Sequence, residues 1–132
     1  MLTDWTTVAG VDGSGLLALV TGAATAEGIH LATLGYEVFV THPDATSVDD
    51  AEAPSHVHHV VAPDVLPEEW TGRFDLVVAL DGAPPVAAVA PQGLVLVVAD
   101  EATELDGLRV LATEEVRELG EVRTRTVLAR LD

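Results

Sequence analysis

Apolar positions along this chain fall in short blocks punctuated by glycine, proline and acidic turns. The blocks 16–21 (LLALVT), 74–80 (FDLVVAL) and 94–99 (LVLVVA) are nearly continuous apolar runs of strand length. Such runs suit strands buried in a sheet, and the last two suit burial on both faces. Residues 36–41 predict a further strand, ended by His42-Pro43, and 57–62 another, bounded by Pro54 and Pro63. Only 24–34 carries helical spacing over any length, with Ile29, Leu31, Ala32 and Leu34 apolar and Gly35 as a stop. The acidic stretch 44–55 predicts a loop with at most one helical turn. Residues 67–72 predict a short turn or helix, and 86–90 a brief helix after Pro84-Pro85. The tail changes to alternation: 109–118 and 122–130, joined across LGE, predict an antiparallel hairpin.

Five strands linked by crossovers and followed by a hairpin predict one α/β domain over 1–132. Its sheet is open and mostly parallel, Rossmann-like, with a C-terminal antiparallel hairpin and few helices. Right-handed crossovers place helices on the sheet faces. With a single full helix, one face is expected to be partly bare and covered by a partner. That partner is a second copy of the chain, giving a homodimer, or another protein subunit.

Composition narrows the function classes. There is no cysteine, so disulfides, thiolate catalysis and Cys-based zinc sites are excluded. The chain has 22 acids against six arginines, with no lysine, for a formal net charge of −16. Nucleic acid and anionic membrane surfaces would repel such a chain, so neither is expected as a partner. The acidity reads as a solvated surface suited to a high-salt or GC-rich organism, or as complementarity to a basic partner. No apolar run approaches the length of a membrane span. MLTDWTTVAG lacks a basic region followed by an apolar core, so no signal peptide is expected and the cytoplasm is the expected location.

The stretch VTGAATAEG, 20–28, lies between a predicted strand and the predicted helix, where an α/β protein holds a cofactor loop. Its TGAATAEG resembles the TGxxxGxG loop of short-chain dehydrogenases. That chemistry needs a tyrosine with a lysine four residues on, and this chain has one tyrosine, Tyr36, in a predicted strand, and no lysine. VDGSG, 11–15, is a second candidate glycine loop, but a strand rather than a helix follows it, so a tight turn is expected there.

The run LALVTGAATAEGIHLATLGYEVFVTHPDA resembles the opening of class I S-adenosylmethionine-dependent methyltransferases, with a strand, a glycine loop, a helix and a Leu-Ala-x-x-Gly-Tyr-x-Val second strand. PDVLPEEWTGRFDLVVAL and APQGLVLVVAD are similar to that family's third-to-fourth and fifth-strand segments. The closing hairpin fits its last two strands. The resemblance runs from about Leu16 to the C-terminus and implies S-adenosylmethionine as cofactor. It places Gly22 at the first loop glycine, with Ala24 and Ala26 at the second and third. It places Val20 where an acid orients the cofactor's amino end, and His42 (Thr41 on a one-residue slip) where an acid accepts the ribose hydroxyls. Asp64 keeps the acid near the adenine.

Alanine side chains crowd a loop built for glycine, and a neutral imidazole does not replace a bidentate carboxylate. One polar contact of three survives. The expectation is therefore a methyltransferase-like protein that has lost catalysis and acts as an accessory or oligomerisation subunit. The alternatives are an active small-molecule methyltransferase, completed by a partner chain, and a binding module for another nucleotide or metabolite.

Four further features remain, of which Asp81 lies where the resemblance implies substrate-facing residues. His56 and His58 share a strand face and are candidate zinc or copper ligands, or else a polar strand edge. Asp81 is a candidate general base or a turn acid in ALDGAPP. Glu114, Glu115, Glu118 and Glu121 against Arg117, Arg123 and Arg125 predict cross-strand charge pairs on a solvated hairpin face. Trp5 and Trp70 are core residues or exposed anchors.

Overall fold

The computed structural model describes residues 16–22, 25–80, 82–118 and 120–130. Seven strands form one sheet: β1 (Leu17–Thr21), β2 (Glu37–His42), β3 (Val57–Val61), β4 (Phe74–Leu80), β5 (Val89–Ala99), β6 (Arg109–Glu118) and β7 (Glu121–Ala129). Their order is β3-β2-β1-β4-β5-β7-β6. The first five strands run parallel, β7 runs antiparallel to β5, and β6 antiparallel to β7. This is the expected α/β architecture. VDGSG, Trp5, Ala24 and Asp81 lie outside the described residues.

The helix α1 (Thr25–Thr33) joins β1 to β2. Gly35 ends it, with φ of +102°. The Gly35 amide donates to the Ala32 carbonyl and the Tyr36 amide to the Leu31 carbonyl. That pair of bonds is the Schellman closure, and Leu31 and Tyr36, the residues it joins, belong to one core cluster. Gly28 lets α1 press onto β2, because a β-carbon there would lie 2.7 Å from Val40 Cγ2.

The acidic stretch holds more structure than its composition predicts: α2 spans Ala45–Asp50. Asp44 explains this local gain. Its carboxylate accepts the Ser47 amide at 2.8 Å as an N-cap, offsetting poor helix propensity in the turn that follows. Two short 3₁₀ turns, Glu68–Trp70 and Val86–Ala88, fill the crossovers on either side of β4. β5 begins earlier than its apolar run, at Val89, and its pairing with β4 shifts register between Phe74 and Leu76. Gln92, at φ of +63°, and the crowded Gly93 lie in the irregular part of this strand.

Alternation across the sheet splits the core in two. One cluster gathers Ala18, Val20, Val38, Val40, Leu76, Val78, Leu96 and Val98 with Leu31 of α1. The other gathers Leu19, Phe74, Val77, Val95, Val97 and Leu128, with Leu66, Trp70, Ala88, Leu105 and Leu108 from the crossovers. The central strands are therefore buried on both faces within one chain, and the expected bare face is absent among the described residues. The physical reason on the second face is that crossover side chains cap the apolar surface without long helices.

The hairpin also departs from expectation. Arg125 faces Glu114 directly in the β6–β7 register and pairs with it, but Arg125 is only 1% exposed. The arginine of that pair is buried rather than solvated, while Glu114 stays half exposed. Arg123 instead reaches out of the hairpin to Asp100, at 3.2 Å.

Candidate functional site

The strand order reverses between β1 and β4, since β2 lies on one side of β1 and β5 lies beyond β4. A ligand crevice is expected outside the carboxyl ends of the strands at such a point. A cleft of about 430 Å³ opens there. Thr21 and Gly22 after β1, Thr41 on β2, Ala62 to Asp64 after β3, and Leu80 and Gly82 after β4 line it. Leu66 and Trp70 complete one apolar wall. Trp70 packs edge-on against Phe74, with ring centroids 5.5 Å apart, so it serves the core and the cleft together. Among the described lining residues the only ionisable side chain is that of Asp64, which is exposed.

The structure distributes the sequence-derived candidates unevenly. Gly22 and Asp64 line the cleft. Ala26 lies in the first turn of α1 and is exposed, outside the cleft lining. Ala24 lies outside the described residues. His42 does not line the cleft, whereas Thr41 does. Side chains alternate along β2, so one residue decides the face. Val20, the candidate for the first-acid position, is fully buried in the core. Gly22 has φ of +87°, and a β-carbon on it would meet the Leu80 carbonyl oxygen at 2.8 Å. The fold itself therefore requires this glycine.

His42 is 3% exposed and belongs to a chain of polar contacts on the α1 face of the sheet. Its Nε2 lies 2.7 Å from His59 Nδ1, and His59 Nε2 lies 2.5 Å from the Glu52 carbonyl oxygen. Burial first, then the neighbouring His59, pushes the His42 imidazole below its ordinary value, against a smaller opposing effect of Asp44. On the other face Glu37 bonds His56 Nδ1 through Oε1 at 2.6 Å and His58 Nε2 through Oε2 at 2.5 Å. Those bonds, His56 first, hold the Glu37 carboxyl below its usual range. His58 also stacks on Phe39 at 5.0 Å between centroids. The shared face of His56 and His58 was legible from their spacing; their common partner across the ladder was not. Among the described residues no group of three or more His, Asp or Glu side chains is placed to hold a metal ion.

Solved structures share this arrangement. A Listeria monocytogenes protein described as an S-adenosylmethionine-dependent methyltransferase superposes with a TM-score of 0.71 at 10% identity, over 97% of this chain and 98% of that one. The chain has the class I methyltransferase fold. Magnesium protoporphyrin IX methyltransferase from Synechocystis, solved with bound S-adenosylmethionine, matches this methyltransferase fold with a TM-score of 0.68 at 15% identity, over 96% and 74% of the two chains. A chain from a Haloferax volcanii complex between the Trm112 methyltransferase activator and a protein described as a methyltransferase matches with a TM-score of 0.71 at 13% identity, over 93% and 85%. No family model matches the sequence, and no curated protein matches it.

Proposed function

We propose that this chain is a methyltransferase-fold subunit that has lost methyl transfer and acts as an accessory or oligomerisation subunit of a protein complex, in the cytoplasm. The observation that carries the reading is the lining of the cleft, where Asp64 is the one ionisable group among the described residues. Thr41 lines the cleft from β2; on a one-residue slip of the resemblance it, rather than His42, stands where a carboxylate would accept two ribose hydroxyls, and a hydroxyl accepts less strongly than a carboxylate. The resemblance puts Val20, a buried apolar residue, where the other acid would stand. Each lost charge-assisted hydrogen bond costs about 1.5–3 kcal/mol, so two weaken S-adenosylmethionine by roughly a hundredfold or more. A protein partner is in keeping with the fold's occurrence in a complex with a methyltransferase activator. Among the described residues no helix is long and apolar enough to cross a membrane.

A second reading has one observation in its favour. The cleft is open and of a size that suits a small ligand. A partner chain supplying the missing acids would make it a working S-adenosylmethionine site. Another nucleotide or metabolite in the same cleft is the third reading.

Calorimetric titration with S-adenosylmethionine and S-adenosylhomocysteine, with mass by light scattering on the same sample, separates these readings. No heat at millimolar ligand, from a stable dimer or larger assembly, is the expected result. Micromolar binding that disappears in Asp64→Ala would overturn the non-catalytic reading.

A further inference from the structure

Four of the five histidines in this chain are His42, His56, His58 and His59, and all four make contacts within the β2–β3 pair or the turn before it. Two sets form on opposite faces. His56 and His58 bracket Glu37, at 65% and 50% side-chain exposure. His42, which is buried, and His59, which is half-buried, form the second set.

Hydrogen-bond bookkeeping fixes the protons of this second set. The Glu52 carbonyl oxygen only accepts, so His59 Nε2 carries a proton. In neutral His59, Nδ1 is then an acceptor, and His42 Nε2 must donate to it. His42 Nδ1 is left as a bare lone pair, and it is buried with no hydrogen-bond partner among the described residues. A proton added at either ring ends in the same difficulty. If His42 is protonated, its Nδ1–H has no acceptor. If His59 is protonated, its Nδ1–H must donate to His42 Nε2, which moves the His42 proton onto the same unpartnered Nδ1. The chain of bonds is complete only while both rings are neutral.

This chain of bonds sits at the wall of the cleft. The Ala62 amide donates to the His42 carbonyl oxygen at 2.7 Å, and Ala62, Pro63 and Asp64 follow directly as lining residues. Thr41, next to His42, lines the cleft from the other side of the same ladder. The ionisable groups on the elements packed here are Glu27 and His30 on α1, Asp49 and Asp50 on α2, and Asp44 and Glu52 in the flanking turns. The described residues of β1 carry none.

We propose that the His42–His59–Glu52 chain is an acid-sensitive latch that seats the end of β3 and, with it, the Ala62–Asp64 wall of the cleft. At neutral pH the latch holds the wall closed against β2. Acid breaks the imidazole pair, the edge strand lifts, and Asp64 moves away from the cleft. The exposed His56–Glu37–His58 bracket keeps the start of β3 in place, so opening begins at the cleft end. The latch is independent of what the cleft binds and of the reading under Proposed function.

Amide exchange and imidazole NMR on the full chain test this. At pH 7.5 both His42 and His59 should show the Nε2–H tautomer. The Ala62 amide, corrected for its intrinsic exchange rate, should open at least about tenfold more often at pH 5.5 than at pH 7.5. Freed from the latch, His42 regains its ordinary value of 6.5, and each pH unit below that gives a factor of ten. The double variant His42→Phe, His59→Gln should flatten this rise, and His56→Asn with His58→Asn should keep it. An Nδ1–H tautomer at His59, a pH-independent Ala62 amide, or an undiminished rise in the first double variant would each overturn the proposal. The tautomer reading needs only the wild-type chain, so it decides the matter even if a variant fails to fold.

Discussion

The α-carbon of Gly22 lies so near the main-chain carbonyl of Leu80 that a β-carbon would sit 2.8 Å from its oxygen. This contact ties the loop after β1 to the end of β4, across the mouth of the cleft. Both the clash with backbone and the positive φ exclude a side chain. Gly22→Ala should therefore destabilise the fold by about 2–4 kcal/mol, from backbone strain and overpacking together. Urea unfolding checks this, and a change under about 0.5 kcal/mol would mean the loop relocates freely. The glycine is thus needed by the fold with or without a cofactor.

Gly28 makes a related contact, but with a side chain. An added β-carbon would lie 2.7 Å from Val40 Cγ2. Gly28→Ala should cost about 1–3 kcal/mol by pushing α1 off β2, despite the better helix propensity of alanine. Pairing it with Val40→Ala should cost less than the sum of the two single changes, because the cavity left by valine receives the new methyl group. Additive losses would show that the helix does not press on this strand.

Arg125 is buried and faces Glu114 across the hairpin. Glu114 is itself half exposed, at 48%, so solvent weakens the pair. Glu114→Gln should cost about 1–3 kcal/mol, because the guanidinium stays in a dry site with less charge to face. Changing both, Glu114→Val with Arg125→Met, should restore part of that loss. A double-mutant cycle with no coupling would refute the pairing as a source of stability.

Stability should also depend on pH in two steps. The folded-state pKa of His42 lies below its ordinary value of 6.5, so the unfolded chain binds the proton first as pH falls. Stability is then complete above 6.5 and declines as pH drops below it. Glu37 and Asp44 also have depressed values, relative to 4.5 and 3.8, through hydrogen bonds to His56 and His58 and to Ser47. Their contribution is present above those ordinary values and is lost as pH falls through the lower folded ones. Urea unfolding at a series of pH values should show a first decline below 6.5 and a second below 4.5. Constant stability from pH 7.5 to 5.5 would contradict the burial of a neutral His42.

Sequence alone determined the strands, the main helix and the fold class. Block length, apolar continuity and Gly or Pro punctuation are local signals, and Leu17–Thr21, Phe74–Leu80 and the closing hairpin follow them closely. Gly35 stops α1 for a reason that is equally local. Tertiary structure decided which side chains meet. Thr41 rather than His42 reaches the cleft because a step of one residue along a strand reverses the face, and only the ladder with β1 and β3 fixes that register. Glu37 finds His56 and His58, Arg125 is buried, and both faces of the central sheet are covered because distant segments converge there. Local propensity and pattern carry no information about such pairings, since their energy exists only once the chain has closed on itself.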